Sequence, residues 1–264
     1  MKITHDFHIH TSRSLCANES ATVEHYVENA AVLGLKKLGF ADHFWDENVP
    51  NTGKFYKIEH YDHVATIKDE LEKFKGQGVE LYFGCECEYD YNSRGIAVTE
   101  EVAEKFDFII VPNSHTHMTM PKEFYHPYEK HIEFMINAYT DILSSPLAKY
   151  VTAIAHPFNA VCCPYGADVL RDMISDDTYK RLFTMAAEKG VAIEANLYDL
   201  IEDEAHDIEK WNPLRLMKIA KECGCKFTFG SDSHNSSFHL GFAAADKVAD
   251  AIGLTEDDLI DLVK

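Results

Sequence analysis

The sequence predicts an α/β fold whose parallel sheet closes into a barrel, with reactive side chains gathered at the C-terminal ends of the strands. Three observations predict it. Short apolar runs alternate with longer amphipathic ones across the 264 residues, glycines stand where helical patterns stop, and histidines or acids follow nearly every apolar run. A barrel fits this length as one domain, and no repeat, low-complexity run or Pro/Gly/Ser-rich linker divides the chain. A single domain spanning 1–264 is therefore expected.

The candidate strands are Ile3 to His8, Leu38 to Ala41, Val79 to Phe83, Phe106 to Val111, Val151 to Ala155, Val191 to Ala195 and Phe227 to Gly230. Between them, Thr22 to Leu33, Glu59 to Phe74, Tyr128 to Leu143, Asp177 to Lys189 and Pro213 to Cys223 carry the helical period. Gly34, Gly76, Gly190 and Gly224 follow helical patterns, as left-handed C-terminal caps do. Strand–helix alternation implies a parallel sheet, open or closed.

The reactive residues decide for closure. His8 and His10 end the first strand, His43 the second, Glu86 the third, His115 the fourth, His156 the fifth, and Asp232 with His234 the last. Strand ends converge on one mouth in a barrel, whereas a flat sheet spreads them apart. His8/His10, Glu86/Glu88, His115/His117 and Asp232/His234 are each two residues apart, the spacing that puts both side chains on one face of a strand. Within these pairs Glu86 is preferred over Glu88 and His115 over His117. Mixed imidazole and carboxylate ligands suit Zn, Mn or Fe, and a carboxylate such as Glu86 is able to bridge two ions and so generate a hydroxide nucleophile near neutral pH. The remaining histidines, His206 and His239 among them, read as structural or exposed.

Composition narrows the partners. Lys and Arg total 25 against 44 Asp and Glu, a net charge of −19, which argues against long nucleic acid. A small anionic substrate stays compatible, because bound divalent ions reverse the field locally. No stretch approaches the roughly 18 apolar residues of a membrane span, and the start has no secretory apolar region, so a cytoplasmic protein without membrane contact is expected. The seven cysteines follow no C-x-x-C spacing and read mostly as reduced thiols.

Together, Asp6-Phe-His-Ile-His-Thr11, Ala41-Asp-His43, Gly84-Cys-Glu86, Ala155-His-Pro157, Glu194-Ala-Asn196 and Gly230-Ser-Asp-Ser-His234 resemble the PHP (polymerase and histidinol phosphatase) family over almost the whole chain. The resemblance implies a distorted (β/α)7 barrel with two or three divalent ions. His8, His10, Glu86 and Asp232 would hold the first ion, with Glu86 bridging to a second on His115 and His156, and His43 with His234 holding a third. Cys16 departs from the pattern: many relatives have a third-site histidine there, and a thiolate would favour soft metals and invite oxidation.

The implied activity is histidinol-phosphatase-like hydrolysis of a small phosphate monoester, a metal-bridging hydroxide attacking phosphorus in line. Glu86, Asp232 and His234 are the candidate catalytic residues, His234 or a water held there serving the leaving alkoxide. Arg13 is a candidate phosphate contact. Aromatics in the long connections, Trp45, Phe55, Tyr56, Tyr61, Phe124, Tyr125 and Tyr128, either shape a pocket or pack on the rim. A nucleotide or short-oligonucleotide phosphoesterase is the alternative, and an amidohydrolase or a non-catalytic metal-binding domain ranks lower.

Overall fold

The computed structural model describes every residue except Val161, 203–206 and Lys264, so His206 lies outside the described residues. The wall of the barrel is made by β1 (His5–Ile9), β2 (Lys37–Phe40), β3 (Glu80–Cys87), β4 (Phe108–Pro112), β5 (Ala153–Ala155), β6 (Ala192–Asn196) and β7 (Phe227–Gly230). They hydrogen-bond in chain order and every neighbouring pair is parallel. A two-residue strand, His43–Phe44, also pairs with β3 and sets His43 beside Glu86. β1, β4 and β6 are buried along their whole length, as expected of parallel strands covered on both faces.

Closure between β7 and β1 falls just past the last rungs of the ladder. Asp232 N donates to the His8 carbonyl at 2.8 Å and His10 N to the Ser233 carbonyl at 3.0 Å, while Ile9 bridges to Ser233. The nearly closed seam is thus made by the backbone of the residues whose side chains carry the chemistry.

Deeper in, aromatic rings fill the barrel. Phe7 packs on Phe108 with centroids 4.9 Å apart and on Tyr82 at 5.0 Å. Gly84 makes room for this layer, since a Cβ there would stand 2.3 Å from the Phe108 ring. We expect Gly84→Ala to cost roughly 1–3 kcal/mol by overpacking, lowering the midpoint of thermal unfolding by about 2–4 °C per kcal/mol. An unchanged melting curve would mean that the ring gives way freely.

The helices ring the wall. α1 (Val23–Leu33) starts at Thr22, whose hydroxyl accepts from His25 N, and stops at Gly34 in the left-handed region. α2 (Lys68–Phe74), α3 (Tyr128–Ser144), α4 (Asp176–Lys189) and α5 (Leu214–Glu222) fall in the segments with helical period, and α6 (Ala245–Ile252) follows β7. One expected helix is broken: Tyr61–Val64 runs into a 3-10 turn at Ala65–Ile67 before α2 begins. Thr66 explains part of the break, because its hydroxyl donates to the His63 carbonyl at 2.7 Å and competes for a group that a continuous helix would use. Among the described residues no helix is long and apolar enough to cross a membrane.

Candidate active site

The mouth at the C-terminal ends of the strands holds a cage of nitrogen and oxygen atoms. His8 Nε2 and His10 Nε2 are 3.0 Å apart, and Asp232 Oδ1 lies 3.5 and 3.3 Å from them. Glu86 Oε2 closes the cage at 3.6 and 3.5 Å from the same two nitrogens. Tetrahedral ligands about 2.0–2.1 Å from a zinc ion would stand about 3.3–3.4 Å from one another, so Asp232 and Glu86 each stand at about ligand spacing from the two imidazoles. Glu86 reaches the other way as well, Oε1 lying 2.8 Å from His156 Nε2 and 3.4 Å from His115 Nε2. At the rim, ring nitrogens of His10, His43 and His234 come within 4.8 Å of one another.

Two atoms test whether ions belong here. His43 Nδ1 and Glu86 Oε2 are buried 2.9 Å apart but too poorly aligned to hydrogen-bond to one another, and neither has another hydrogen-bond partner. Orphaned buried polar atoms are costly unless a bound group satisfies them. A divalent ion between them would do so.

Behind the cage, five of the rings are held by their other nitrogen. His8 Nδ1 meets Glu194 Oε1 at 2.7 Å and His115 Nδ1 meets Glu88 Oε1 at 2.7 Å. Ser114 donates to the His156 carbonyl, so its oxygen is left to accept from His156 Nδ1 at 2.8 Å. Ser14 likewise gives its proton to Asp42, at 2.7 Å, and accepts from His10 Nδ1 at 3.0 Å. His234 Nδ1 donates to the Asp232 carbonyl at 2.9 Å. Each ring therefore presents Nε2 as the free lone pair, the arrangement by which outer groups fix the tautomer of metal-binding histidines.

The electrostatics keep the acids ionised. Despite burial, the charges of His115, His8 and His43 hold Glu86 well below the usual carboxylate range, and the charges of His8 and His234, with His10 in polar contact, do the same for Asp232. Burial disfavours a charge on His8, but Glu194, Asp232 and Glu86 together hold it well above its ordinary value, whereas burial and the neighbouring His234 and His43 push His10 well below. Backbone strain is concentrated here too. His156, Phe158 and Asp232 have φ of 25°, 61° and 53°, a region that non-glycine residues rarely enter.

The structure sorts the residues predicted from sequence. His8, His10, His43, Glu86, His115, His156, Asp232 and His234 converge on the mouth. Cys16 lines the cavity above them; burial raises the thiol, but the neighbouring His234 and His43 bring it down to about 6. Arg13 is not brought in. Its guanidinium donates to Glu70 at 2.6 Å and to Thr66 at 2.8 Å, on the flank of the barrel.

The same-face-of-a-strand reading fails for His115 and His117. They fall on a helical turn, Thr116–Thr119, with His115 as its cap, and only their side chains reach back to the mouth. Asp232 and His234 likewise lie beyond the end of β7, turned inward by the positive φ of Asp232. Of the loop aromatics, Phe55 and Tyr56 line the cavity, while Trp45 backs onto Tyr56 and Tyr61 and Phe124 pack against Phe106 and Phe134.

Sequence reasoning ranked Glu88 behind Glu86 as a ligand, quoted Glu194 and Asp42 only as parts of motifs, and gave no role to Ser14 or Ser114. The available signal was a polar residue within four positions of a ligand, or, for Glu194, an acid in an apolar strand. Asn159, Met118 and Tyr198 also line the cavity and were not singled out.

Fold and site together define a barrel whose strand ends are arranged to hold divalent ions. The chain belongs to the PHP domain family, whose model matches residues 6–197. It is 26% identical to a probable phosphatase of Thermoanaerobacter sp. (strain X514), over 97% of this chain and 89% of that one. A probable phosphatase of Clostridium novyi (strain NT) is 23% identical over 98% and 91%. Among solved structures, histidinol phosphate phosphatase of Lactococcus lactis subsp. lactis Il1403, complexed with zinc, L-histidinol and phosphate, superposes with a TM-score of 0.64 at 18% identity, covering 96% of this chain and 94% of that one.

Proposed function

We propose that the protein is a cytoplasmic, metal-dependent phosphoesterase that hydrolyses small phosphate monoesters, histidinol phosphate being the first substrate to test. The observation that carries this reading is the cage of His8, His10, Asp232 and Glu86 at 3.0 to 3.6 Å, with Glu86 shared towards His115 and His156. The two probable phosphatases, matching along nearly the whole chain, support the same reaction class. His8, His10, Glu86 and Asp232 would hold one ion, Glu86 with His115 and His156 a second, and His43 with His234 an outer one. Zinc, manganese or iron ions in such a site supply an acidified water and neutralise the charge on the phosphoryl oxygens.

The chain's own part is to bind, orient and exclude water. The cavity above the cage measures about 300 Å³, at the small end of ligand pockets, and Phe55, Tyr56 and Met118 give it apolar walls. That size favours a compact alcohol over an oligonucleotide. Asn159 and Tyr198 add polar groups to the cavity lining. His234, its Nδ1 fixed on the Asp232 carbonyl, would help to hold the outer ion and is the candidate group to serve the leaving oxygen. With Arg13 engaged by Glu70, its use as a phosphate contact requires that ion pair to open.

The test is phosphate release from histidinol phosphate, sugar phosphates, mononucleotides and short oligonucleotides, with Mn, Zn or Fe added or with chelator. We expect release that requires metal and is fastest on a small monoester. Absence of release from every ester, with ions shown to be bound, would overturn the proposal, and preferential cleavage of oligonucleotides would replace the substrate class.

A further inference from the structure

The segment that carries Asp232 and His234 is anchored at both ends on one carboxylate. Asp6, in β1 and fully buried, accepts from Ser231 N through Oδ1 at 3.0 Å and from His239 Nε2 through Oδ2 at 3.0 Å. Oδ1 also accepts from His8 N at 3.1 Å. One side chain thus fixes the backbone at His8, the residue before Asp232, and the far end of the segment beyond His234. Between the two anchor points lies the positive φ of Asp232, 53°, a conformation that persists only where its surroundings over-determine it.

His239 is the less expected of the two partners. It ends the single helical turn Ser236–His239 and is fully buried, with the Tyr26 ring perpendicular to it at 5.0 Å and Phe242 at 6.2 Å. Its Nδ1 has no hydrogen-bond partner, so the bond from Nε2 to Asp6 is what this imidazole has in return for its burial. Packing alone would be served better by an apolar side chain, because taking a polar ring out of water is costly unless its hydrogen bonds are replaced.

We propose that His239 is a positioning residue: acting through Asp6, it fastens the far end of the segment 231–239 to β1 and so holds Asp232 and His234 in place for the ions. The inference rests on the metal-centre reading above, in which neither His239 nor Asp6 is a ligand. Without the Nε2 donor, Oδ2 is left unsatisfied in a buried place. The carboxylate is then free to turn, and the bonds that Oδ1 makes to Ser231 N and His8 N loosen with it. The loss falls on the affinity of the centre for ions, since outer groups that orient ligands act on metal binding without touching the metal.

Titration of the metal-free protein with Zn, in competition with a chromophoric chelator, tests this without reference to turnover. His239→Leu fills the space and removes the donor, whereas His239→Gln keeps an NH2 group to face Asp6. We expect Zn binding to weaken by about 10- to 100-fold in His239→Leu and to return close to the wild-type value in His239→Gln. A purely packing role orders the two variants the other way, since leucine suits an aromatic surround better than an amide does. If His239→Leu does not fold, His239→Asn takes its place: it carries the same amide one carbon shorter, out of reach of Asp6, and should bind Zn more weakly than His239→Gln. Zn binding unchanged in the variant without the donor, or weaker in His239→Gln than in that variant, would overturn the proposal. Zn bound equally by all the proteins would remove only the positioning role and leave the metal centre standing, whereas a wild type that binds no Zn would overturn the metal-centre reading and this inference with it.

Discussion

Glu86→Ala is expected to lose metal-dependent phosphate release by at least about a thousandfold, the largest effect of any single substitution in this site. The reason is connectivity. One carboxylate stands within 2.8 to 3.6 Å of ring nitrogens of His8, His10, His43, His115 and His156, so removing it would take a ligand from more than one of the proposed ions at once. It also removes the charge that compensates those imidazoles, which no neighbouring group can replace without moving. Metal content after dialysis should fall with activity.

Stability gives a second readout. An ion that binds only the folded chain adds about 2.7 kcal/mol at a hundredfold excess over its dissociation constant, or roughly 5–10 °C for a chain of this size. Chelator should erase that shift in the wild type and change little in the variant. Glu86→Gln, which keeps the volume, should behave like the alanine variant. If it instead kept ions and activity within about tenfold of wild type, the carboxylate would be a packing group and the bridging role would be lost.

Most of the barrel was legible because parallel strands buried on both faces read as apolar runs, and because glycine caps such as Gly34 and Gly190 end their helices in the left-handed region as expected. The helix expected over Glu59 to Phe74 was not legible as a broken one. Its apolar spacing is helical throughout, and the hydroxyl of Thr66 acts on a carbonyl that periodicity does not register. The same limit applies to the site. Ligand types stood out at strand ends, but orientation depends on contacts between residues far apart in sequence: Glu194 meets His8 across 186 positions and Glu88 meets His115 across 27. Arg13 shows the converse error of proximity. It lies three residues from His10, yet the turn that seats Cys16 sends the guanidinium outwards to Glu70.

Glu194→Gln should separate orientation from ligation. Glu194 accepts twice, from His8 Nδ1 at 2.7 Å through Oε1 and from the His156 amide at 2.6 Å through Oε2, with Asn196 adding a bond of 3.2 Å to Oε2. A glutamine offers one acceptor oxygen and one NH2 group, so it cannot satisfy both. With its NH2 towards the His156 amide, two donors face each other in a buried place, at a cost of about 1–3 kcal/mol. With its NH2 towards His8, the ring must accept at Nδ1 and carry its proton on Nε2, the nitrogen that faces the cage. Either orientation damages the centre without touching a ligand. We expect metal affinity to fall by about 10- to 100-fold, with activity recovering in part as Zn is raised. Glu86→Ala should show no such recovery. The two variants can therefore be distinguished by activity against metal concentration: a displaced curve for Glu194→Gln and a flat one for Glu86→Ala. A Glu194→Gln curve that superposes on wild type would mean that the tautomer of His8 is set by something other than this carboxylate.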